Sequence, residues 1–269
     1  DDIYYVGVGD IVNEAAGHGN DVVYSKISWT LGANVERLYL YSTAAGVNGT
    51  GNDLANKLYG QDNNFSDTLV GGLGDDTYEV RSNDSIVELA GQGSDVANCY
   101  DSYTLAAGVS VEYLFLYVTA GKTLTGNELA NYLRGNNGSD TLNGNSGNDT
   151  LTGGLGNDVL SGGNGMDVFR FDSLPNSSTN RDTVTDFSVT DDTIQLKNTV
   201  FASLTTTGTL ASGSFVIGTA ALDANDYVIY DNTTGALFYD PDGSGSGGAI
   251  EFAVLSPNLA LTNLDFVVT

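Results

Sequence analysis

The chain has 269 residues, 34 of them acidic against 9 basic, for a formal charge of -25. Such an excess repels nucleic acid and anionic membrane and leaves cations as the natural complement. No stretch reads as a membrane span: the most apolar, residues 111–121, is too short and carries Glu112.

Twenty-seven of the acids are Asp and 7 are Glu, which suits ligation from tight loops better than the surface of a helix. With 41% hydrophobic residues, 35 glycines and few long apolar runs, many short strands are expected rather than an α/β core. A single cysteine, Cys99, excludes an internal disulfide.

In chain order, the predicted strands are IYYV (3–6), the run 21–28, RLYLY (37–41), TYEV (77–80), SIVEL (85–89) and YLFLY (113–117). All are rich in β-branched and aromatic residues at period two, and no 3.6-residue pattern competes. These segments repeat. Residues 1–23 align with 75–97 at an offset of 74, matching Asp10 with Asp84, Glu14 with Glu88, Gly17 with Gly91 and Asp21 with Asp95. The offset becomes 76 for 34–41 against 110–117 and 75 for 51–60 against 126–135, so two long units, 1–75 and 76–130, differ by loop insertions. DDIYYV at the N-terminus matches DDTYEV at 75–80, where a GGLG turn precedes it, so the chain is expected to continue a longer protein.

From residue 131 to 172 the period shortens to nine. Asn131, Asp140, Asp149, Asp158 and Asp167 are each followed two places later by Leu133, Leu142, Leu151, Leu160 and Phe169. Gly135, Gly144, Gly153 and Gly162 keep step, as do Gly138, Gly147, Gly156 and Gly165. This is the G-G-x-G-x-D-x-U-x nonapeptide, with U a large apolar residue, the signature of a calcium-binding parallel β-helix. Six turn formers alternate with a strand of two or three residues whose one apolar side chain faces inward. Glycine at the first and fourth positions is expected to permit positive φ and to let carbonyls converge. Two nonapeptides make one coil, which stacks Asp140 on Asp158 and Asp149 on Asp167 along opposite edges. Stacked carboxylates repel unless a cation lies between them, and an all-oxygen nest of carbonyls and carboxylates suits several Ca²⁺ ions rather than Zn²⁺ or Mg²⁺. Asp67 and Asp76 occupy the same position in an earlier block, which carries a two-residue insertion around residues 62–67.

GNSGNDTLT, GGLGNDVLS and GGNGMDVFR (144–170) resemble the RTX, or haemolysin-type, repeats of exported proteins of Gram-negative bacteria. The resemblance implies a roll near the C-terminus of the protein, export through a one-step type I secretion machinery, and folding on meeting extracellular calcium. It places the mature chain outside the cell or on its surface. The fold expected is all-β: a parallel β-solenoid over 1–172, then a β cap at 173–269. Residues 180–196 resemble the strand pair that closes such rolls in exported proteases and epimerases. Residues 227–255 read as strand, NTTG turn, strand, DPDGSGSGG loop and final strand. The closing LDFVVT (264–269) looks like an uncleaved type I export signal.

No catalytic residues are assigned. His18, the single histidine, aligns with Gln92, and Cys99 aligns with Ser25, so neither position demands the chemistry of its side chain. Asp240 and Asp242 open like an EF-hand loop, but the Glu at the twelfth position is missing, which leaves a turn or a minor extra calcium site. In RLYLY and YLFLY the leucines share one face, so Tyr39, Tyr41, Phe115 and Tyr117 are expected to point outward as a repeated strip for a ligand or partner, unless a loop covers them. The leading functional reading is a non-catalytic calcium-binding region. Two alternatives stand beside it: a calcium-dependent surface assembly or adhesion protein that contacts polysaccharide or itself, and the accessory module of a polysaccharide epimerase, lyase or hydrolase.

Overall fold

The alternation of apolar and polar residues at period two is realised as short strands, each of which turns one or two side chains into a narrow core. In a computed structural model, which describes residues 1–43, 46–60 and 65–269, every predicted strand is present. The insertion expected around 62–67 falls partly outside the described residues. Among these residues, helix is confined to two three-residue 3₁₀ turns, Ser212–Ser214 and Asn263–Asp265. The chain forms two compact units, Asp1–Val118 and Thr119–Thr269.

In the first unit, Ile3–Val6, Val22–Ser25, Arg37–Leu40, Lys57–Tyr59, Thr77–Val80, Val96–Cys99 and Tyr113–Leu116 pair in succession, all parallel. Trp29–Thr30, Asn48–Thr50, Thr68–Val70 and Ser85–Val87 form a second parallel sheet. The register places Val23, Leu38, Leu58, Tyr78, Ala97 and Leu114 in one inward row, each with no exposed surface.

The second unit keeps this plan with shorter coils. Thr123–Thr125, Thr141–Asn143, Val159–Ser161 and Asp182–Val184 stack on one side, and Tyr132–Arg134, Thr150–Thr152, Val168–Phe171 and Thr193–Leu196 on the other, all parallel. Their inward rows are Leu124, Leu142, Leu160 and Val184, and Leu133, Leu151, Phe169 and Ile194, all at most 1% exposed. Removing each such side chain from water contributes about 1.5–3 kcal/mol, so the rows supply the drive that turn-rich nonapeptides lack.

The 180–196 segment thus extends both stacks but does not close them, because a further strand pairs onto each. Val228–Asp231, Ala236–Tyr239 and Ile250–Val254 form the expected antiparallel meander, and Ile250–Val254 docks parallel to Asp182–Val184. The closing segment is an interior strand: Phe266–Val268 runs parallel to Thr193–Leu196 on one side and antiparallel to Gly208–Thr209 on the other. Phe266 is fully buried.

Candidate metal centre

Each nonapeptide Asp sits just before its strand, where the chain turns inward, and the coil spacing brings the next Asp beneath it. The Asp140 N–H donates to Asp158 Oδ1 at 2.7 Å, and the Asp158 N–H to Asp182 Oδ1 at 3.1 Å. On the opposite edge, Asn131 N–H donates to Asp149 Oδ1 at 2.7 Å, Asp149 to Asp167 at 2.9 Å, and Asp167 to Asp192 at 2.9 Å. The pairs expected from the nine-residue period are therefore stacked, on two edges. Asn131 uses its own Oδ1 to accept the Asn127 N–H.

The first unit repeats the device. Asn56 N–H donates to Asp76 Oδ1 at 2.7 Å, Asp76 to Asp95 Oδ1 at 2.8 Å, and Asp95 to Glu112 Oε2 at 2.7 Å. Asp67 receives the Val47 N–H and gives its own to Asp84.

One oxygen of each carboxylate thus organises the adjacent coil. In five of them the other is left over: Oδ2 of Asp76, Asp95, Asp149, Asp158 and Asp167 is buried without a hydrogen-bond partner, each residue being only 1% exposed, whereas Asp140 Oδ2 accepts the Asn136 N–H at 3.1 Å and Asp192 Oδ2 the Ser188 N–H at 2.8 Å. Burial pushes the Asp149 carboxyl up to about 7, Asp158 to about 6, Asp76 to about 7 and Asp182 to about 8, and raises Asp140 and Asp167 as well. A buried carboxylate without compensation is costly. A hard cation with oxygen ligands removes that cost, and the donor set, free of imidazole and thiolate, fits Ca²⁺.

The glycines divide the work differently from expectation. Gly138, Gly147, Gly156 and Gly165 have φ of 104°, 109°, 134° and 145°, as the fourth position requires. Gly135, Gly144, Gly153 and Gly162 do not lie in the left-handed region. Their constraint is space: a Cβ on Gly153 would collide with Asp158 Oδ2, and one on Gly135 would stand 2.8 Å from Asp140 Oδ2. The first glycine therefore keeps room beside the Asp Oδ2, rather than bending the chain.

Asp182 and Asp192 were not singled out in the sequence because their coils span 24 and 25 residues instead of 18. Their signal was only an Asp at the start of a strand, in RDTV, or just before one, in DDTI. Cys99 is fully buried and its thiol is pushed far up by that burial, while His18 is exposed. Asp242 closes its own loop by accepting the Gly247 N–H at 3.0 Å.

The four aromatics face outward, but not as one repeated strip. Tyr39 belongs to a ladder in which Tyr5, Tyr24, Tyr39 and Tyr59 stack with ring centroids 5.1, 4.9 and 3.7 Å apart. In the next coils Glu79 and Asn98 occupy that row and bond to each other at 2.8 Å, so Phe115 stands apart, against Tyr113. Tyr41 packs edge-on to Tyr24, and Tyr117 lies 5.8 Å from Tyr100.

The family model for the RTX calcium-binding nonapeptide repeat (4 copies) matches residues 61–77 and 125–169. No curated protein matches. Among solved structures, the chain is similar to the solution structure of the AlgE6R3 subunit from the Azotobacter vinelandii mannuronan C5-epimerase, at 27% identity over 55% of this chain and 78% of that one, with a TM-score of 0.39. The fold assignment rests on the strand pairing above rather than on that likeness. Periodic Asp and Gly, stacked carboxylates and the matched repeats agree: the chain carries RTX calcium-binding nonapeptide repeats, wound into a parallel β-roll.

Proposed function

We propose that the chain is the calcium-triggered folding region of an exported extracellular protein. The observation that carries this reading is the set of buried Oδ2 atoms of Asp76, Asp95, Asp149, Asp158 and Asp167, which no protein donor satisfies. Where free calcium is scarce, repulsion among these carboxylates and the entropy of 35 glycines oppose folding. Where it is abundant, each site filled at ten times its dissociation constant adds about 1.4 kcal/mol, and several sites together decide the outcome. The chain is then unfolded during passage through a type I exporter and folds outside. That order suits the closing LDFVVT, whose Phe266 and Val268 are buried in the folded sheet and exposed only before it forms. Far-UV circular dichroism during calcium titration tests the proposal. The β signal should appear cooperatively with calcium and vanish with chelator; identical spectra and melting temperatures in both conditions sink it.

The tyrosine ladder favours a second role, as a contact surface for a polysaccharide or for another copy at the cell surface. Stacked, half-exposed rings offer flat apolar area with hydroxyl rims, suited to sugar faces. Replacing Tyr24 and Tyr39 by Ser should abolish retardation in polysaccharide affinity electrophoresis, or calcium-dependent light scattering, without changing the calcium midpoint. Unchanged behaviour in both assays removes this role.

A further inference from the structure

The nonapeptide at 71–79 departs from the others at its inward position, where Tyr78 stands in place of leucine. Tyr78 is fully buried, so its hydroxyl needs a partner inside the roll. It donates to Glu88 Oε2. Glu88 follows the strand Ser85–Val87 of the opposite sheet and is 2% exposed. Its other oxygen accepts the Leu89 N–H at 3.2 Å.

That contact brings a third carboxylate to the Asp76–Asp95 pair. Ligand oxygens from Asp76, Glu88 and Asp95 all lie within 4.8 Å of one another. Asp76 and Asp95 each spend Oδ1 on a backbone N–H and leave Oδ2 buried without a partner. Gly71 completes the space, since a Cβ there would collide with Asp76 Oδ2 and the Tyr78 hydroxyl and stand 2.7 Å from Glu88 Oε2. Among the described residues, no lysine or arginine pairs with any of the three acids. Three buried negative charges without a protein cation call for an external one.

The arrangement occurs twice. At an offset of 74, Asp2, Glu14 and Asp21 also converge within 4.8 Å. Tyr4 donates to Glu14 as Tyr78 does to Glu88, Asp2 N–H donates to Asp21 Oδ1 at 2.6 Å, and Asp21 N–H donates to Glu36 as Asp95 does to Glu112. This copy is more open, with Asp2 exposed. The stacked pairs at 131–171 contain no glutamate and carry leucine or phenylalanine at the inward position.

We infer that Asp76, Glu88 and Asp95 form a calcium site of a second type, held by the Tyr78 hydroxyl, and that Asp2, Glu14 and Asp21 form its more exposed copy. The inference rests on the calcium reading above and adds to it a tighter class of site, because affinity rises with the number and rigidity of charged ligands. These sites fill first as calcium rises, and order the long units before the regular nonapeptides.

Native mass spectrometry of the full chain at stepped free calcium, with Glu88→Gln, Glu14→Gln and the double variant, provides the test. Glutamine keeps an acceptor for the tyrosine hydroxyl, and far-UV circular dichroism at saturating calcium checks that each variant folds. Wild type should show an early, tight class of ions; each single variant should lose one of them, or weaken it at least tenfold, and the double variant two, with the later class unchanged. A double variant that folds and retains the wild-type count and affinities overturns the inference while leaving the nonapeptide reading intact. Should Glu88→Gln fail to fold even in saturating calcium, Glu14→Gln decides by the same criterion in the open copy. A wild-type chain that binds no calcium overturns both readings.

Discussion

Asp158 Oδ1 accepts the Asp140 backbone N–H at 2.7 Å, while Asp158 Oδ2 is buried without a hydrogen-bond partner. One oxygen sets the register between coils, and the other is left without a protein donor. On the proposed function, this division separates what holds the roll's shape from what triggers its formation.

Asp158→Asn tests the division directly. The amide oxygen preserves the bond to Asp140 but removes the charge facing the metal, so the coil register survives and calcium binding weakens. The calcium midpoint of folding should rise roughly tenfold, equivalent to about 1.4 kcal/mol. Asp231→Asn, at a residue whose carboxylate accepts from Thr233 and Thr234 in an exposed turn, should leave the midpoint in place. Equal midpoints for all three chains in a dichroism titration would contradict the assignment.

Two glycines separate backbone conformation from packing. Gly91 has φ of 82° with nothing within 4 Å of an added Cβ, so Gly91→Ala should cost only the left-handed penalty of about 1 kcal/mol. Gly156 has φ of 134°, and its Cβ would run into the Gly138 carbonyl of the coil before. Gly156→Ala should therefore lose more than about 2 kcal/mol, measured by denaturant unfolding in saturating calcium. Similar losses for the two would show that the coils give way more readily than their packing implies.

The pH dependence follows from the buried acids. In the metal-free folded chain Asp149 sits near 7 and Asp158 near 6, above the ordinary 3.8. A carboxyl raised on folding destabilises the folded state above its folded pKa, and the penalty is relieved as pH falls from about 7 toward 4. Weaker net repulsion acts in the same sense. In chelator, the β signal that is absent at neutral pH and above should therefore return in part as pH falls toward 5. Protons compete with the metal, so the calcium midpoint should rise over the same interval; a midpoint that stays constant from pH 7.5 to 5.5 would mean these carboxyls are not the ligands.

Much of this arrangement was legible in the sequence because the coil is short and regular. Residues nine apart in 131–171 must alternate between the two edges, so the Leu rows and the Asp149–Asp167 stack follow from spacing alone. Where coils lengthen, spacing loses its power: Asp182 continues the edge of Asp158 only after the excursion at 172–181, and no nine-residue count reaches it. Glu88 was visible as the aligned partner of Glu14, but its contact with Tyr78 depends on a fold that brings the end of one sheet over the other. The aromatic strip was misjudged because the two long units diverge where the ladder continues, with Glu79 in register beside Tyr59.

The closing strand yields the last prediction. Phe266 is fully buried between Thr193–Leu196 and Gly208–Thr209, whereas its near neighbour Leu264 is 72% exposed. Phe266→Ala removes a ring from a packed row and should cost about 3–5 kcal/mol. Leu264→Ala should stay within about 0.5 kcal/mol of wild type. The row that ends in Phe266 runs back through Ile194 and Phe169 to Leu151 and Leu133, so the calcium-bearing coils and the cap share one column of contacts. Loss of Phe266 should therefore raise the calcium needed to fold the whole second unit, and not only loosen the last strand. Limited proteolysis across a calcium series checks this. In Phe266→Ala, protection of residues 131–171 should shift to higher calcium together with protection of the C-terminus, whereas a shift confined to the C-terminus would show that the cap folds independently of the nonapeptides.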